Sequence, residues 1–160
     1  MSQENVDAFK RTVESAHADP SGAARTGRVE QNLQIVRQFY EELSAQAWEA
    51  SPDHFDPDFA LDLTDAYPDL GVILGLEAAQ TALRGYMQTF EEFRVELREV
   101  IHADETHVVT AARDGGRLKG SDAEVWNDFF HVWTFRDGRV TRRSSHGKRS
   151  QALKAAGLGE

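Results

Sequence analysis

Two sets of side chains within residues 124–147 could do chemistry. Asp128 shares one predicted strand face with Arg143 and Ser145, whereas His131 and His146 share the opposite face. A carboxyl group buried among aromatic side chains has a raised pKa and can act as an acid or a base. Two histidines can ligate a metal ion, but catalytic zinc normally has three protein ligands and no third is evident. We therefore take Asp128 as a candidate acid or base, and we predict no metal site.

These two faces follow from a predicted β-hairpin. The run from Glu124 to Arg136 is rich in aromatic and β-branched residues, which is typical of strands. Asp137-Gly138 comes next and favours a type I′ turn, because both central positions of that turn need a positive φ. The expected register places these residues opposite one another: Arg136 and Arg139, Trp133 and Arg142, Phe130 and Ser145, and Phe129 and His146. A β-bulge would exchange the two faces beyond the point where it occurs.

Composition narrows the classes of function. The chain has 160 residues, a formal net charge of −9 and no cysteine. Such a charge repels phosphate backbones and anionic lipid surfaces, so neither nucleic acid nor a membrane is an expected partner. The lack of cysteine excludes disulfides, thiolate metal sites and a cysteine nucleophile. No apolar run has the length of a membrane span and no signal peptide is evident, so a cytoplasmic location is the expectation. No cofactor is predicted.

The elements around the hairpin predict an α+β fold. Residues 1–28 are interpreted as a helical appendage followed by a linker, and residues 29–160 as a single domain. Apolar residues at helical spacing predict core helices over 30–50 and 77–93, and a short helix over 150–156. Alternation predicts strands at 59–63, 94–103 and 106–113, with a short edge strand at 72–74 and a flexible glycine-rich connection before the hairpin. The expected architecture is a curved antiparallel sheet wrapped around helices, with a mouth that could hold a small ligand.

The order of elements resembles the nuclear transport factor 2-like superfamily, and within it the SnoaL-like branch named for a polyketide cyclase. Four stretches carry this resemblance: residues 56–63 (Asp-Pro-Asp-Phe-Ala-Leu-Asp-Leu), 75–78 (Gly-Leu-Glu-Ala), 132–140 (Val-Trp-Thr-Phe-Arg-Asp-Gly-Arg-Val) and 151–158 (Gln-Ala-Leu-Lys-Ala-Ala-Gly-Leu). They are mostly core and turn residues, so they identify the fold rather than the chemistry. The resemblance implies a cone-like, cystatin-like fold, in a group that includes cyclases, isomerases, epoxide hydrolases and non-catalytic binding proteins.

The resemblance also implies that the usual catalytic residues are replaced. Cyclases and epoxide hydrolases of this group carry an aspartate where this chain has Ser145, and serine cannot act as a base at neutral pH. At the three catalytic positions of the ketosteroid isomerases this chain has Phe39, Leu63 and Phe130. Since the positions of Phe130 and Ser145 face the cavity in relatives, we expect the face with Asp128 to line the pocket. The predicted pocket residues are Tyr40, Tyr86, Trp126, Phe130, Arg143 and Ser145.

Two functions remain open at this point. In the first, the protein is an enzyme that performs isomerase-, cyclase- or hydrolase-type acid–base chemistry on a hydrophobic small molecule, with Asp128 as the catalytic residue. In the second, it is a ligand-binding or dimerising module without catalysis, and Asp128 is ion-paired with Arg143 or solvated at a strand end. The resemblance also implies a homodimer formed sheet to sheet. The apolar hairpin face with Phe129, Trp133 and Phe135 would supply that interface.

Overall fold

A curved, unclosed sheet of six strands forms the body of the protein. The computed structural model describes residues 20–159. In chain order the elements are α1 (Pro20–Ser44), β1 (Phe55–Asp62), β2 (Val72–Leu74), α2 (Leu76–Met87), β3 (Arg94–Ala103), β4 (His107–Arg117), β5 (Glu124–Arg136), β6 (Arg139–His146) and α3 (Arg149–Ala155). The strand order is β2-β1-β6-β5-β4-β3. All neighbours are antiparallel except β1 and β6, which are parallel, so the sheet is mixed.

Helices cover the two faces of the sheet unequally. Helix α1 packs on β3 and β4, and α2 packs on β1 and β2. Their apolar residues join the main core with Leu61, Val108 and Trp133, all fully buried. Helix α3 lies on the other face, where Ala152 and Ala156 pack with Val109 and Val132. We call the face under α1 and α2 the inner face and the face under α3 the outer face.

The predicted α+β class, the wrapped sheet and the Asp137-Gly138 turn are confirmed. Asp137 and Gly138 have φ values of 52° and 78°, as a type I′ turn requires. The linker predicted at the end of residues 1–28 is helical from residue 20 onward, because α1 begins at Pro20. Proline is tolerated in the first turn of a helix, where its missing N–H would have no partner. The helix predicted over residues 1–18 lies outside the described residues, and the division into an appendage and one domain stays a prediction.

The glycine pair before the hairpin is strand rather than flexible connection. Gly115 and Gly116 belong to β4, which runs to Arg117. A methyl group on Gly115 would overlap the carbonyl oxygen of Val125, and one on Gly116 would overlap that of Glu92. Here glycine permits a close approach of two backbones, which the sequence pattern alone does not distinguish from a loop.

One β-bulge decides which side chains face inward. The pair Phe135–Val140 follows the turn as expected, but Thr134 then pairs with Arg142, so Thr141 is the extra residue. Beyond it Trp133 lies opposite Arg143, His131 opposite Ser145, and Phe130 opposite His146. The register predicted for these pairs is therefore wrong by one residue on β6.

The hairpin face that was predicted to form a dimer is the inner face of the sheet. Trp133 and Phe135 are buried in the main core, and Phe129 lines the cavity described below. These side chains cannot form an exposed interface. His131 and His146, predicted on one face, lie on opposite faces of the sheet, since their strands pair with the shifted register.

Candidate functional site

A cavity of about 450 Å³ lies between the inner face of the sheet and helices α1 and α2. Its wall is mainly aliphatic and aromatic, with contributions from Leu61, Leu63, Leu83, Phe93 and Phe129. The loop after β1 adds Tyr67 and Leu70. A concave apolar space with a few polar groups is the usual form of a small-molecule site. The polar groups of this wall therefore define the chemistry that is possible.

Arg143 is the most unusual of these polar groups. Its side chain lies on the inner face of β6, and the residue is only 5% exposed. The guanidinium lies over the rings of Phe39 and Trp133, at 5.4 and 5.7 Å from their centroids. Nη2 donates a hydrogen bond of 3.3 Å to Oγ of Ser145, and Nε has no partner. Burial lowers the pKa of Arg143, although the nearby Tyr40 and Asp114 partly offset this.

A second polar group is a hydrogen-bonded chain around Tyr40. The Tyr40 hydroxyl lies 2.8 Å from Oγ1 of Thr110 and 2.7 Å from Nδ1 of His131. Thr110 also accepts a hydrogen bond of 3.2 Å from Nε1 of Trp133. Burial raises the pKa of Tyr40 to about 12, despite the opposing effect of the Arg143 charge. Burial, together with the Arg143 and His146 charges, lowers the pKa of His131 well below its usual value, so the ring is neutral at neutral pH.

Asp114 and Tyr86 form the third polar group. The Tyr86 hydroxyl donates a hydrogen bond of 2.7 Å to Oδ1 of Asp114, and Asn127 lies 3.5 Å from the same hydroxyl. Asp114 is 9% exposed. Burial raises the pKa of Asp114, and the hydrogen bond from Tyr86 and the Arg143 charge offset only part of that rise. Burial also raises the pKa of Tyr86. The cavity thus contains a carboxyl group tuned toward neutral pH.

The predicted site residues divide between the cavity and other places. Tyr40, Tyr86, Arg143 and Ser145 line the cavity. Trp126, Phe130 and Asp128 do not line it. The reason is the bulge: Phe130 and Asp128 are on the outer face of β5, while Arg143 and Ser145 are on the inner face of β6.

The surroundings of the three misplaced residues are ordinary. Asp128 is exposed, opposite Arg113 in the ladder with β4. Phe130 packs beside α3, with the Arg149 guanidinium 5.7 Å from its ring. Trp126 donates a hydrogen bond of 2.8 Å to Glu124. Asp128 is therefore not the buried carboxyl group that the acid–base hypothesis requires.

Sequence reasoning missed Asp114, His131 and Tyr67 as residues of the cavity. A signal for Asp114 exists in the alternation of β4, where Val108, Thr110, Ala112 and Asp114 share the buried face. A carboxyl group in phase with three small or apolar residues indicates a buried acid. His131 was assigned correctly to the face of Trp133, but that face was interpreted as an interface.

The outer face carries a serine, a histidine and an aspartate in series. Oγ of Ser144 lies 2.7 Å from Nε2 of His146, and Nδ1 of His146 lies 2.7 Å from Oδ2 of Asp65. This order of groups also occurs in serine hydrolases. Ser144 and His146 are buried and none of the three lines the cavity, so the series ties the loop after β1 to β6.

Within residues 20–159, no three histidine, aspartate or glutamate side chains come close enough together to hold a metal ion. None of the helices in that range has the length and apolar character that a membrane span needs.

Solved structures with the same fold are numerous. TerC, co-crystallised with polyporic acid, matches with a TM-score of 0.61 and 20% identity over 80% of this chain and 97% of its own. Bal32a, from a soil-derived mobile gene cassette, matches with a TM-score of 0.66 and 21% identity. The match covers 80% of this chain and 97% of Bal32a. A protein from Jannaschia sp. CCS1 that is described as a SnoaL-like polyketide cyclase matches with a TM-score of 0.61 and 19% identity. The match covers 81% of this chain and 91% of the other. At these identities the likeness concerns the fold alone.

The sequence comparisons identify a family but no individual curated protein. A search of curated proteins finds no significant match. The family model described as SnoaL-like domain matches residues 36–143, which include the last third of α1, the whole of α2 and of β1 to β5, and most of β6. The resemblance drawn from the four sequence stretches is confirmed, and the chain belongs to the SnoaL-like domain family.

Proposed function

We propose that this protein binds an apolar small molecule in the cavity and transfers a proton to or from it, with Asp114 as the acid–base residue. The observation that carries the proposal is the buried Asp114 carboxyl group, which lines an apolar cavity and has a raised pKa. Asp114 takes the place of Asp128 as the candidate catalytic residue. TerC, a structural relative, was crystallised with polyporic acid, which supports a small molecule as the ligand class.

The chemistry needs a base of suitable strength at a fixed position. Burial makes the ionised Asp114 carboxylate a stronger base than an exposed aspartate. The Tyr86 hydroxyl orients that carboxylate through its hydrogen bond of 2.7 Å. The carboxylate removes a proton from a carbon next to a carbonyl group, and the electron pair of the C–H bond passes into the enolate. Return of the proton to carbon or oxygen completes an isomerisation and regenerates the carboxylate.

Deuterium exchange tests this step without knowledge of the natural substrate. The protein is incubated in D₂O with apolar ketones such as β-tetralone, and loss of the α-proton signals is followed by NMR. We expect exchange above the buffer rate with the wild type and none above it with Asp114→Asn. Asp128→Asn is the matched comparison, since it removes an exposed carboxylate from the outer face. Exchange that survives Asp114→Asn, or that is lost in Asp128→Asn, contradicts the assignment.

Binding without catalysis is the second candidate. It is favoured by the pairing of the wall groups with one another: Tyr40 with His131, and Tyr86 with Asp114. When the polar groups of the cavity wall are hydrogen-bonded to one another, the cavity can bind a ligand without reacting with it. Saturable binding of an apolar ligand, with no exchange or turnover at any pH between about 5 and 9, would favour this function.

A sheet-to-sheet homodimer stays a prediction. The hairpin residues on which it was based are buried or line the cavity, so its support now comes from the family resemblance alone. Sedimentation velocity over a wide range of concentrations tests it. A single species of monomer mass at every concentration contradicts it.

A further inference from the structure

Arg143 is a buried cation with no salt bridge among the described residues, and the nearby Asp114 charge offsets only part of the effect of its burial. Among the described residues, the guanidinium makes one hydrogen bond, of 3.3 Å, to Ser145, and no carboxylate is within ion-pair distance. Its neighbour Arg142, on the outer face, is paired with Asp62. Of these two adjacent arginines of β6, Arg142 is in a salt bridge and Arg143 is not.

The buried Arg143 guanidinium reduces the folding stability of the ligand-free protein. Burial of a charge is unfavourable unless the charge is paired and hydrogen-bonded. The rings of Phe39 and Trp133 offset part of the cost through cation–π contact, but they accept no hydrogen bond from Nε. A ligand in the cavity that the side chain lines could supply the remaining partner.

The free donors have the arrangement that a carboxylate needs. Nε–H and one N–H of Nη2 point from the same edge of the planar guanidinium, which is the edge that binds carboxylates through two parallel hydrogen bonds. Ser145 accepts from Nη2, so its own hydroxyl proton is available as a further donor. Arg143 and Ser145 both line the cavity, so a carboxylate there could accept from them.

We propose that the cavity selects an apolar molecule that carries a carboxylate, and that this carboxylate binds to Arg143 and Ser145. This inference rests on the proposed function in using the same cavity, and it adds the chemical class of the ligand. The remainder of the ligand lies against the aliphatic and aromatic wall, which includes Leu61, Leu83 and Phe129. Asp114 stands on a different strand, so one end of the ligand is held while another part faces the carboxyl group.

Pairs of acids and their neutral amides test the inference at equilibrium. Binding of naphthoate and naphthamide, and of decanoate and decanamide, is measured by isothermal titration calorimetry near neutral pH. We expect the wild type to bind at least one acid about tenfold or more tightly than its amide, since hydrogen bonds to a charged group are worth that much or more. Arg143→Gln should remove the preference, and Ser145→Ala should reduce it.

Residues of β6 next to Arg143 and Ser145 provide control variants for the binding test. Arg142→Gln and Ser144→Ala change the same residue types one position away on the outer face, and they should keep the preference for the acid. Circular dichroism and thermal unfolding establish that each variant is folded. Arg143→Lys is the second variant, because it keeps the charge but loses the planar edge, and it should retain only part of the preference.

Several outcomes overturn the inference. These are equal affinity of the wild type for acid and amide, no binding of either acid, and an undiminished preference in Arg143→Gln. The comparison of acid with amide in the wild type needs no variant. Asp114→Asn separates the two proposals, since it should abolish proton exchange but keep the preference for the acid. Failure of the acid preference alone leaves exchange on a neutral ketone intact.

Discussion

Trp133 lies opposite Arg143 in the ladder between β5 and β6, and the guanidinium is 5.7 Å from the centre of the indole ring. Both side chains are on the inner face, because the bulge at Thr141 shifts β6 by one residue. The same shift brings Ser145 opposite His131 at the cavity wall. One inserted residue thus brings Arg143 and Ser145 to the cavity wall, beside His131 of β5.

Replacement of Arg143 by leucine should stabilise the ligand-free protein. The variant removes a buried charge that has no ion-pair partner and supplies an apolar side chain to an apolar wall. We expect a gain of about 1–3 kcal/mol in the free energy of unfolding, as found when buried charges are replaced by apolar residues. Urea unfolding at neutral pH measures it.

Arg142→Leu is the matched control for this prediction. That substitution breaks a partly exposed ion pair with Asp62, so it should cost about 0–1 kcal/mol. If Arg143→Leu instead destabilises the protein as much as a core truncation does, the contacts with Phe39 and Trp133 outweigh the cost of burying the charge.

The buried Asp114 should make stability depend on pH. Its pKa in the folded protein is raised above the value of 3.8 for an unperturbed aspartate, so the folded state favours the protonated form. The wild type is then most stable, relative to Asp114→Asn, below pH 3.8, and this relative stability falls as the pH rises through the folded pKa. Melting temperatures of the two proteins across the acidic and neutral range test the sign.

Asp128→Asn serves as the comparison here because Asp128 is exposed. Its melting temperature over the same pH range reports the effect of losing a carboxylate outside the cavity. A difference between wild type and Asp114→Asn that is constant with pH, or that grows in favour of the wild type, would falsify the assignment of a raised pKa.

The sequence pattern predicts the hairpin but not the β-bulge within it. Asp137-Gly138 determines the turn locally, because few residue pairs adopt a positive φ at both positions. The extra residue Thr141 has no such local signature. Next to it, the pairing of β6 with β1 also shifts, between Phe55 and Ala60. The bulge belongs to a junction of three strands, and parallel pairing of distant segments cannot be read from one strand's composition.

This single feature explains most of the difference between the predicted and the observed site. Before the bulge, the alternation of β5 was predicted correctly, so His131 and Trp133 share a face as expected. Arg143 and Ser145 were predicted as pocket residues together with Asp128, yet the shift separates them from it. The polar residue that takes its place, Asp114, comes from β4, which was predicted only as a strand.

Substitution of Tyr40 by phenylalanine should destabilise the protein. The hydroxyl bridges Thr110 and His131 in a buried region, so its removal leaves these two polar groups with one partner fewer each. We expect a loss of about 1–3 kcal/mol in the free energy of unfolding, the usual cost of an unsatisfied buried group. Chemical denaturation at neutral pH measures the change.

Tyr67→Phe is the control, since Tyr67 lines the same cavity but is only half-buried. Its loss of stability should be smaller than that of Tyr40→Phe. Equal stability of Tyr40→Phe and the wild type would show that the hydrogen-bonded chain does not contribute to folding.

Asp104 should stabilise the turn between β3 and β4 in a pH-dependent way. Its Oδ1 accepts hydrogen bonds of 2.8 and 2.7 Å from the backbone N–H groups of Thr106 and His107, and Oδ2 lies 2.6 Å from Nε2 of His102. Burial alone would raise the pKa of Asp104, but these hydrogen bonds lower it to about 2. The ionised form is therefore favoured in the folded state.

The stabilisation from Asp104 should be fully present above pH 3.8, the unfolded value, and it should disappear as the pH falls through about 2. Because the side chain is 42% exposed, we expect only about 1 kcal/mol at neutral pH after allowance for solvent screening. Unfolding of wild type and Asp104→Asn at pH values from about 2 to 7 measures the difference. Asp122→Asn, at an exposed position outside this turn, is the comparison variant. A gap between wild type and Asp104→Asn that persists undiminished at the acidic end would mean that the turn depends on side-chain shape rather than on the charge of Asp104.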